Sequence, residues 1–316
     1  MKLTFWGTRG SIACSLNPRD FRNSIKQVAE KAKDSAVLQE QGVDAFLEEL
    51  PKNLTQTFGG NSPCIEISHE NDRIILDAGS GLRELGNKVM REEGSKEHNF
   101  TFLFSHTHWD HICGFPFFIP IYLKNSNINI YGGHDDMQKR FALQHQKYNF
   151  PVDFEELKST INFKKIEVKE KHDINSFTVS CMRQYHPGGS FGFKIERNGR
   201  SLVYMTDTEF QDETEEGLKE TTDFIRGADM LIFDSMYSFN ETLEKVDWGH
   251  SSSRVAIKIC NLADINKLVL FHHDPECSDT KLHEIYEKTL KLREKILDKG
   301  KSLEIINSYD SLELEI

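Results

Sequence analysis

Three imidazoles and a carboxylate fall within six residues of one stretch, Ser105-His106-Thr107-His108-Trp109-Asp110-His111. Neutral imidazole and carboxylate are ligands that suit zinc, manganese and iron. The stretch follows Asn99-Phe100-Thr101-Phe102-Leu103-Phe104, an apolar run rich in β-forming residues. Strand side chains alternate, so a strand running into the motif would project His106 and His108 to one side. Asp110 and His111 would lie on the turn beyond its end. That arrangement offers ligands to two neighbouring cations rather than one. A buried ionisable cluster of this density is costly unless paired or metal-bound. The plainer alternative is a polar loop that happens to hold histidines. Cys113 stands beside the cluster, which has ligands enough without it.

Four further segments put a His or Asp directly after an apolar run. They are Tyr185-His186-Pro187, Tyr204-Met205-Thr206-Asp207, Leu231-Ile232-Phe233-Asp234 and Leu270-Phe271-His272-His273. Each alone would be weak, since a lone His is more often a satisfied surface or core residue. Strand ends on one edge of a sandwich converge, so together these groups can meet the cluster. Gly249-His250-Ser251-Ser252 heads a helical pattern. Either serine could cap that helix, whose N-terminus would also favour a phosphate.

Elements able to carry these groups follow from periodicity. Residues 3–6 read as an opening strand before the Gly7-Thr8-Arg9-Gly10-Ser11 turn. Residues 15–57 are more charged, with Ile25, Val28, Ala29 and Ala32 at helical spacing. They predict two inserted helices, either a lid over the site or a surface decoration. Residues 64–67 and 73–76 read as paired strands, 82–89 as a helix, 128–131 as a strand and 137–146 as a helix. Residues 163–168, 177–182, 191–196 and 201–205 read as strands of a second sheet. Short buried strands at 230–233 and 267–271 flank a helix at 252–262. A helix at 279–297 and a strand at 303–306 close the chain. Antiparallel pairs followed by strand–helix alternation, twice over, predict an α/β (α+β) fold: a four-layer αββα sandwich of two mixed β-sheets with outer helices. Without a linker or internal repeat, residues 1–316 read as one domain with the insert at 15–57.

The formal net charge of −11 argues against an extended nucleic-acid surface, whose affinity comes from Lys and Arg on phosphates. It is compatible with a small phosphorylated substrate, because bound divalent cations turn a site positive inside an acidic protein. No apolar run is long enough to cross a bilayer, so no membrane partner is expected. The opening residues lack the order of a signal peptide. Six scattered cysteines then suggest reduced thiols and a cytoplasmic location.

His106-x-His108-x-Asp110-His111 resembles the signature of the metallo-β-lactamase fold superfamily. Gly7-Thr8-Arg9-Gly10-Ser11, Gly59-Gly60-Asn61, Asp77-Ala78-Gly79, His186-Pro187, Thr206-Asp207-Thr208, Gly249-His250-Ser251-Ser252 and His272 occur in the order of its phosphodiesterase branch. That branch includes ribonuclease Z-like enzymes and cyclic-nucleotide or cyclic-phosphate phosphodiesterases. The resemblance covers nearly the whole chain apart from 15–57. It implies that His106, His108 and His186 hold one metal, that Asp110, His111 and His272 hold a second, and that Asp207 bridges both. His272 is preferred to His273 because it directly follows the 267–271 strand. Asp77 resembles the family's buried support residue. His250 resembles a histidine that contacts the phosphate and protonates the leaving oxygen, and Asp234 the acid that orients it. Such a partner would raise the pKa of His250.

The cofactors implied are two divalent metal ions, zinc first, with manganese or iron as alternatives. The implied reaction is hydrolysis of a phosphodiester by a hydroxide held between the metals, with Asp110 also orienting the nucleophile and His250 as general acid. A homodimer is usual among these relatives. Ribonuclease Z-like enzymes carry a long Gly- and Pro-containing arm that grips tRNA, and no such stretch is legible here. A small, cyclic nucleotide or other cyclic phosphodiester is therefore the first expectation and RNA the second. A metal-binding sensor without turnover is the alternative of another class. The full ligand set and His250 argue against it, and lactam or thioester hydrolysis leaves His250 without a role.

Overall fold

The apolar runs lack polar alternation because most of these strands are covered on both faces. In the computed structural model, which describes residues 1–94, 96–237 and 247–316, the strand His98–Phe104 shows how. Leu103 turns into a core shared with Leu76, Tyr204 and Phe271. Phe100, Phe102 and Phe104 turn the other way, onto Leu82, Leu85, Phe115 and Phe141. Lys267–Phe271 divides similarly: Val269 and Phe271 join the shared core, while Leu268 and Leu270 pack with Ile257 and Cys260. Three apolar layers thus separate helices, sheet, sheet and helices, which is the αββα sandwich.

The first sheet is built from β1 (Lys2–Gly7), β2 (Cys64–His69), β3 (Asp72–Leu76), β4 (His98–Phe104), β5 (Ser126–Gly132), β6 (Thr160–Lys165) and β14 (Glu313–Glu315). The second is built from β7 (Lys171–Ile174), β8 (Phe177–Gln184), β9 (Ser190–Arg197), β10 (Arg200–Met205), β11 (Met230–Asp234), β12 (Lys267–Phe271) and β13 (Glu304–Asn307). Their orders are β14-β1-β2-β3-β4-β5-β6 and β13-β12-β11-β10-β9-β8-β7. Both are mixed: β3 to β6 and β10 to β13 run parallel, and the remaining pairs antiparallel.

Several expectations need correction. The insert holds four helices rather than two: α1 (Pro18–Ala32), α2 (Ala36–Gln41), α3 (Val43–Glu49) and α4 (Lys52–Thr55). Gly42, at φ +91°, and Pro51 divide what reads as one later helix. The strand expected at 163–168 is β6, and it belongs to the first sheet, parallel to β5. Its Phe163 packs on the outer side against Phe141 and Phe154. The second sheet starts instead with β7, whose short Lys-His-Asp-Ile sequence gives no strand pattern. Strand β14 was likewise unforeseen. It pairs with β1 and brings the Met1 amino group 2.7 Å from the Ile316 carbonyl. Among the described residues the remaining α-helices are α5 (Leu82–Glu92), α6 (Trp109–Ile112), α7 (Met137–Gln144), α8 (Lys219–Ile225, without a signal in the sequence), α9 (Ser253–Ala263) and α10 (Asp279–Ile296).

Candidate metal centre

Just past the ends of β3, β10 and β12 stands a residue that turns left-handed: Asp77 at φ +56°, Asp207 at +47° and His272 at +61°. Non-glycine residues seldom adopt this conformation, and it marks places where the surroundings over-determine the chain. Asp77 shows why. Its carboxylate accepts from the Ser105 amide (2.8 Å), the Ser105 hydroxyl (2.7 Å), His111 Nδ1 (2.8 Å) and the Tyr204 hydroxyl (2.7 Å). By taking the Ser105 amide it draws the chain out of the ladder, so β4 stops at Phe104. His106 and His108 therefore stand on the following loop rather than on the strand, and Asp110 and His111 on α6. The same contacts set the tautomers. Nδ1–H of His111 faces Asp77, Nδ1–H of His106 faces the Ser105 hydroxyl (3.1 Å), and Nδ1–H of His186 faces the Gly249 carbonyl (2.8 Å). Each Nε2 is left with a free lone pair for a cation.

The seven residues read from sequence as ligands come together in two groups that share Asp207. In the first, His108 Nδ1 and His186 Nε2 are 3.0 Å apart. Asp207 Oδ2 lies 3.6 Å from His106 Nε2 and 3.7 Å from His186 Nε2. In the second, Asp110 Oδ2 is 3.2 Å from Nε2 of both His111 and His272, and Asp207 Oδ1 is also 3.2 Å from both. Four ligands at about 2.1 Å around one ion lie about 3.4 Å from one another, which these separations match. His106 Nε2 is buried without a hydrogen-bond partner among the described residues.

Charge tells the same story. Asp77, Asp110, Asp207 and Asp234 are all buried, and among the described residues each pairs with histidine rather than with Lys or Arg. Burial opposes ionisation of Asp110 and Asp207, yet the imidazoles around them hold both well below the usual carboxylate range. Burial drives His106 well below its ordinary value. Burial opposes the charged form of His111 too, but Asp110, Asp207 and Asp77 hold it well above. So much buried negative charge requires cationic partners, and a divalent ion in each group would supply them.

Beside the second group, His250 Nδ1 is 2.8 Å from Asp234 Oδ2, and its ring stacks on His272 with centroids 5.0 Å apart. Burial works against the charged form of His250, but Asp234 outweighs it and raises the pKa to about 9. The His250 loop is held by Glu209, a residue that no motif or periodicity singles out. Its carboxylate accepts from the Asp247 and Gly249 amides at 2.9 and 2.8 Å. Gly249 sits at φ +83°, and a Cβ there would meet His186 Nδ1 at 2.1 Å. Neither serine caps α9: Ser252 holds the cap position without a side-chain bond, and the Ser251 hydroxyl donates to the Thr208 carbonyl. His273 turns away from the cluster to the Ser308 carbonyl at 2.9 Å. Cys113 contacts the Ser62 hydroxyl and lies outside both groups. Three exposed rings adjoin site residues in the chain: Trp109 (65% exposed) follows His108, Tyr185 (51%) precedes His186, and Trp248 (62%) precedes Gly249.

Two sandwiched sheets with a double His/Asp cluster at their shared edge define a metal-dependent hydrolase. The chain belongs to the β-lactamase superfamily, whose domain model matches residues 72–273. A ribonuclease Z of Picrophilus torridus is 24% identical over 282 residues, covering 71% of this chain and 84% of that relative. The metallo-β-lactamase fold protein YhfI of Bacillus subtilis superposes with a TM-score of 0.66 at 16% identity, over 100% of this chain and 98% of its own. A diphosphatase of the PhnP family gives 0.61 at 16% identity, over 100% and 97%. No helix among the described residues is long and apolar enough to cross a membrane, and all six cysteines are free.

Proposed function

We propose that the chain is a dinuclear-metal phosphodiesterase acting on a small, cyclic nucleotide or related cyclic phosphodiester. The observation that carries this reading is the Asp234–His250 pair set beside the double cluster. His106, His108, His186 and Asp207 would hold one cation, and Asp110, His111, His272 and Asp207 the other. Zinc suits the imidazole-rich set best, with manganese or iron as alternatives. A cation pair would supply an activated water and neutralise the phosphate. Asp110 would accept a hydrogen bond from the attacking water and so orient it. Asp234 keeps a proton on His250 and fixes its ring, and His250 delivers that proton to the leaving oxygen. The rings of Trp109, Tyr185 and Trp248 offer faces on which a base could stack.

A ribonuclease Z-like action on RNA is the second reading, favoured by the relatives of that name. Against it stand the net charge of −11 and the plain β9–β10 hairpin that occupies the chain between His186 and Asp207. The homodimer belongs to the same proposal, and sedimentation velocity tests it. The deciding experiment is turnover of bis-p-nitrophenyl phosphate, 2′,3′- and 3′,5′-cyclic mononucleotides, cyclic dinucleotides and a precursor tRNA, each with zinc or manganese. Cleavage of cyclic nucleotides without tRNA is expected. Selective tRNA cleavage would install the second reading. Inertness toward every phosphodiester, in protein holding two ions, would leave a non-phosphate substrate or a sensor.

A further inference from the structure

We infer that the site extends past His108 into a subsite for a second phosphate group of the substrate, with Arg183 as its principal cation. The inference rests on the phosphodiesterase reading above. In β8, Val179 and Cys181 face the core between the sheets, so alternation turns Arg183 to the same side, at the open end of the cleft. Arg183 is exposed, and it has no acidic partner among the described residues.

The ground between Arg183 and the metal cluster is bare backbone. Gly188 and Gly189 lie at φ +81° and +83°. A Cβ on Gly188 would stand 3.8 Å from His108 Nε2, and one on Gly189 would stand 3.7 Å from Arg183 Nη2 and 3.5 Å from His134 Cε1. The two neighbouring glycines therefore link the His108 ring on one side to the Arg183 guanidinium on the other. A floor without side chains lets a ligand approach closely.

Two further groups complete the subsite. Arg140 donates from Nη1 to the Thr107 hydroxyl (2.9 Å), between two proposed ligands, and from Nε to Asp136 (2.7 Å). Asp136 offsets part of its charge, which leaves Arg183 as the dominant cation. His134 packs edge-on against Phe191, and its Nε2 is enclosed without a hydrogen-bond partner among the described residues. It can donate to a phosphate oxygen while uncharged, and Arg183 can present a two-pronged fork to the same group. No step of the hydrolysis uses any of these three residues, so their convergence beside the cluster is otherwise unexplained.

The test is isothermal titration of metal-loaded protein with adenosine 3′,5′-bisphosphate and with adenosine 3′-monophosphate. The bisphosphate should bind about tenfold more tightly, as one charge-assisted fork provides. Arg183→Ala should remove that margin, Arg183→Lys should keep part of it, and Arg200→Ala, on the far end of β10, should keep all of it. Equal affinity for the two nucleotides in the wild type, or a margin that survives Arg183→Ala, would overturn the subsite. Comparing adenosine 5′-phosphate 2′,3′-cyclic phosphate and a cyclic dinucleotide with adenosine 2′,3′-cyclic phosphate as substrates assigns the second group to a terminal phosphomonoester or to a chain diester. An Arg183-dependent preference for either supports the subsite, and preference for neither counts against it. Hydrolysis of bis-p-nitrophenyl phosphate is scored separately. Protein inert there but keeping the Arg183-dependent margin loses the phosphodiesterase reading and retains the subsite.

Discussion

At the residue scale, the site separates groups that would hold cations from a group that would move a proton, and substitutions should divide the same way. Replacing His106, His108, Asp110, His111 or Asp207 by Ala should abolish turnover together with bound metal, measured by elemental analysis. His250→Ala should lower kcat by about 10²–10⁴-fold, the usual worth of a positioned acid, while two ions per chain remain. Loss of metal in that variant would move His250 into the ligand set. Asp234 raises the pKa of His250, so its proton stays available well into the alkaline range. Asp234→Asn should therefore pull the alkaline limb of kcat/KM to lower pH, and an unmoved limb would show that another group sets it. The choice between adjacent histidines is checked in the same way. His272→Gln should cost one ion and His273→Gln none, because His273 bonds the Ser308 carbonyl instead.

At the element scale, the site hangs on strand ends and on the loops that leave them. This explains what was legible in the sequence and what was not. Each proposed ligand follows an apolar run or lies in the compact 106–111 motif, so a local pattern sufficed to find it. The hub at Asp77 was visible only in part. Its partners Ser105 and Tyr204 lie far from it in the chain, and Tyr204 looks like one more core aromatic of β10. Strands β7 and β14 escaped notice because short, charged edge strands owe their form to a neighbour rather than to their own periodicity. The insert reads as two helices rather than four for a related reason: α1 buries no residue, so little but capping marks its ends. Loop geometry yields its own prediction. At Gly249 a methyl group meets both the positive φ and the His186 ring. Gly249→Ala should cost roughly 1–3 kcal/mol in urea unfolding and weaken occupancy of the His186 ion. Tyr204→Phe, which removes one donor from buried Asp77, should cost about 1–2 kcal/mol with the fold retained.

At the scale of the whole molecule, stability should be tied both to metal and to acid, through different groups. Four buried carboxylates repel one another when the cations are gone, so chelation should lower the melting temperature and re-addition restore it. Free ion at a thousandfold its Kd contributes about 4 kcal/mol by mass action. A melting temperature indifferent to chelator would mean that the imidazoles alone balance those charges. Acid acts through groups that need no metal. His273 is fully buried, and burial first, then the neighbouring Arg9, lowers its pKa to about 3. In the unfolded chain the same imidazole titrates near its ordinary value of about 6.5. Between those values the unfolded state binds a proton that the folded state refuses. The contribution of His273 is therefore complete above about pH 6.5 and falls as pH drops, by about 1.4 kcal/mol per unit for one such proton. Urea midpoints of chelated protein from pH 7.5 down to pH 5 should show this slope, with His145, whose pKa burial also lowers, adding to it. His273→Gln keeps a donor for the Ser308 carbonyl but cannot take up the proton, so its slope should be shallower by one proton equivalent. A variant slope equal to the wild type would show that folded His273 takes up its proton as readily as the unfolded chain does, and the acid sensitivity would then belong to the histidines of the metal cluster.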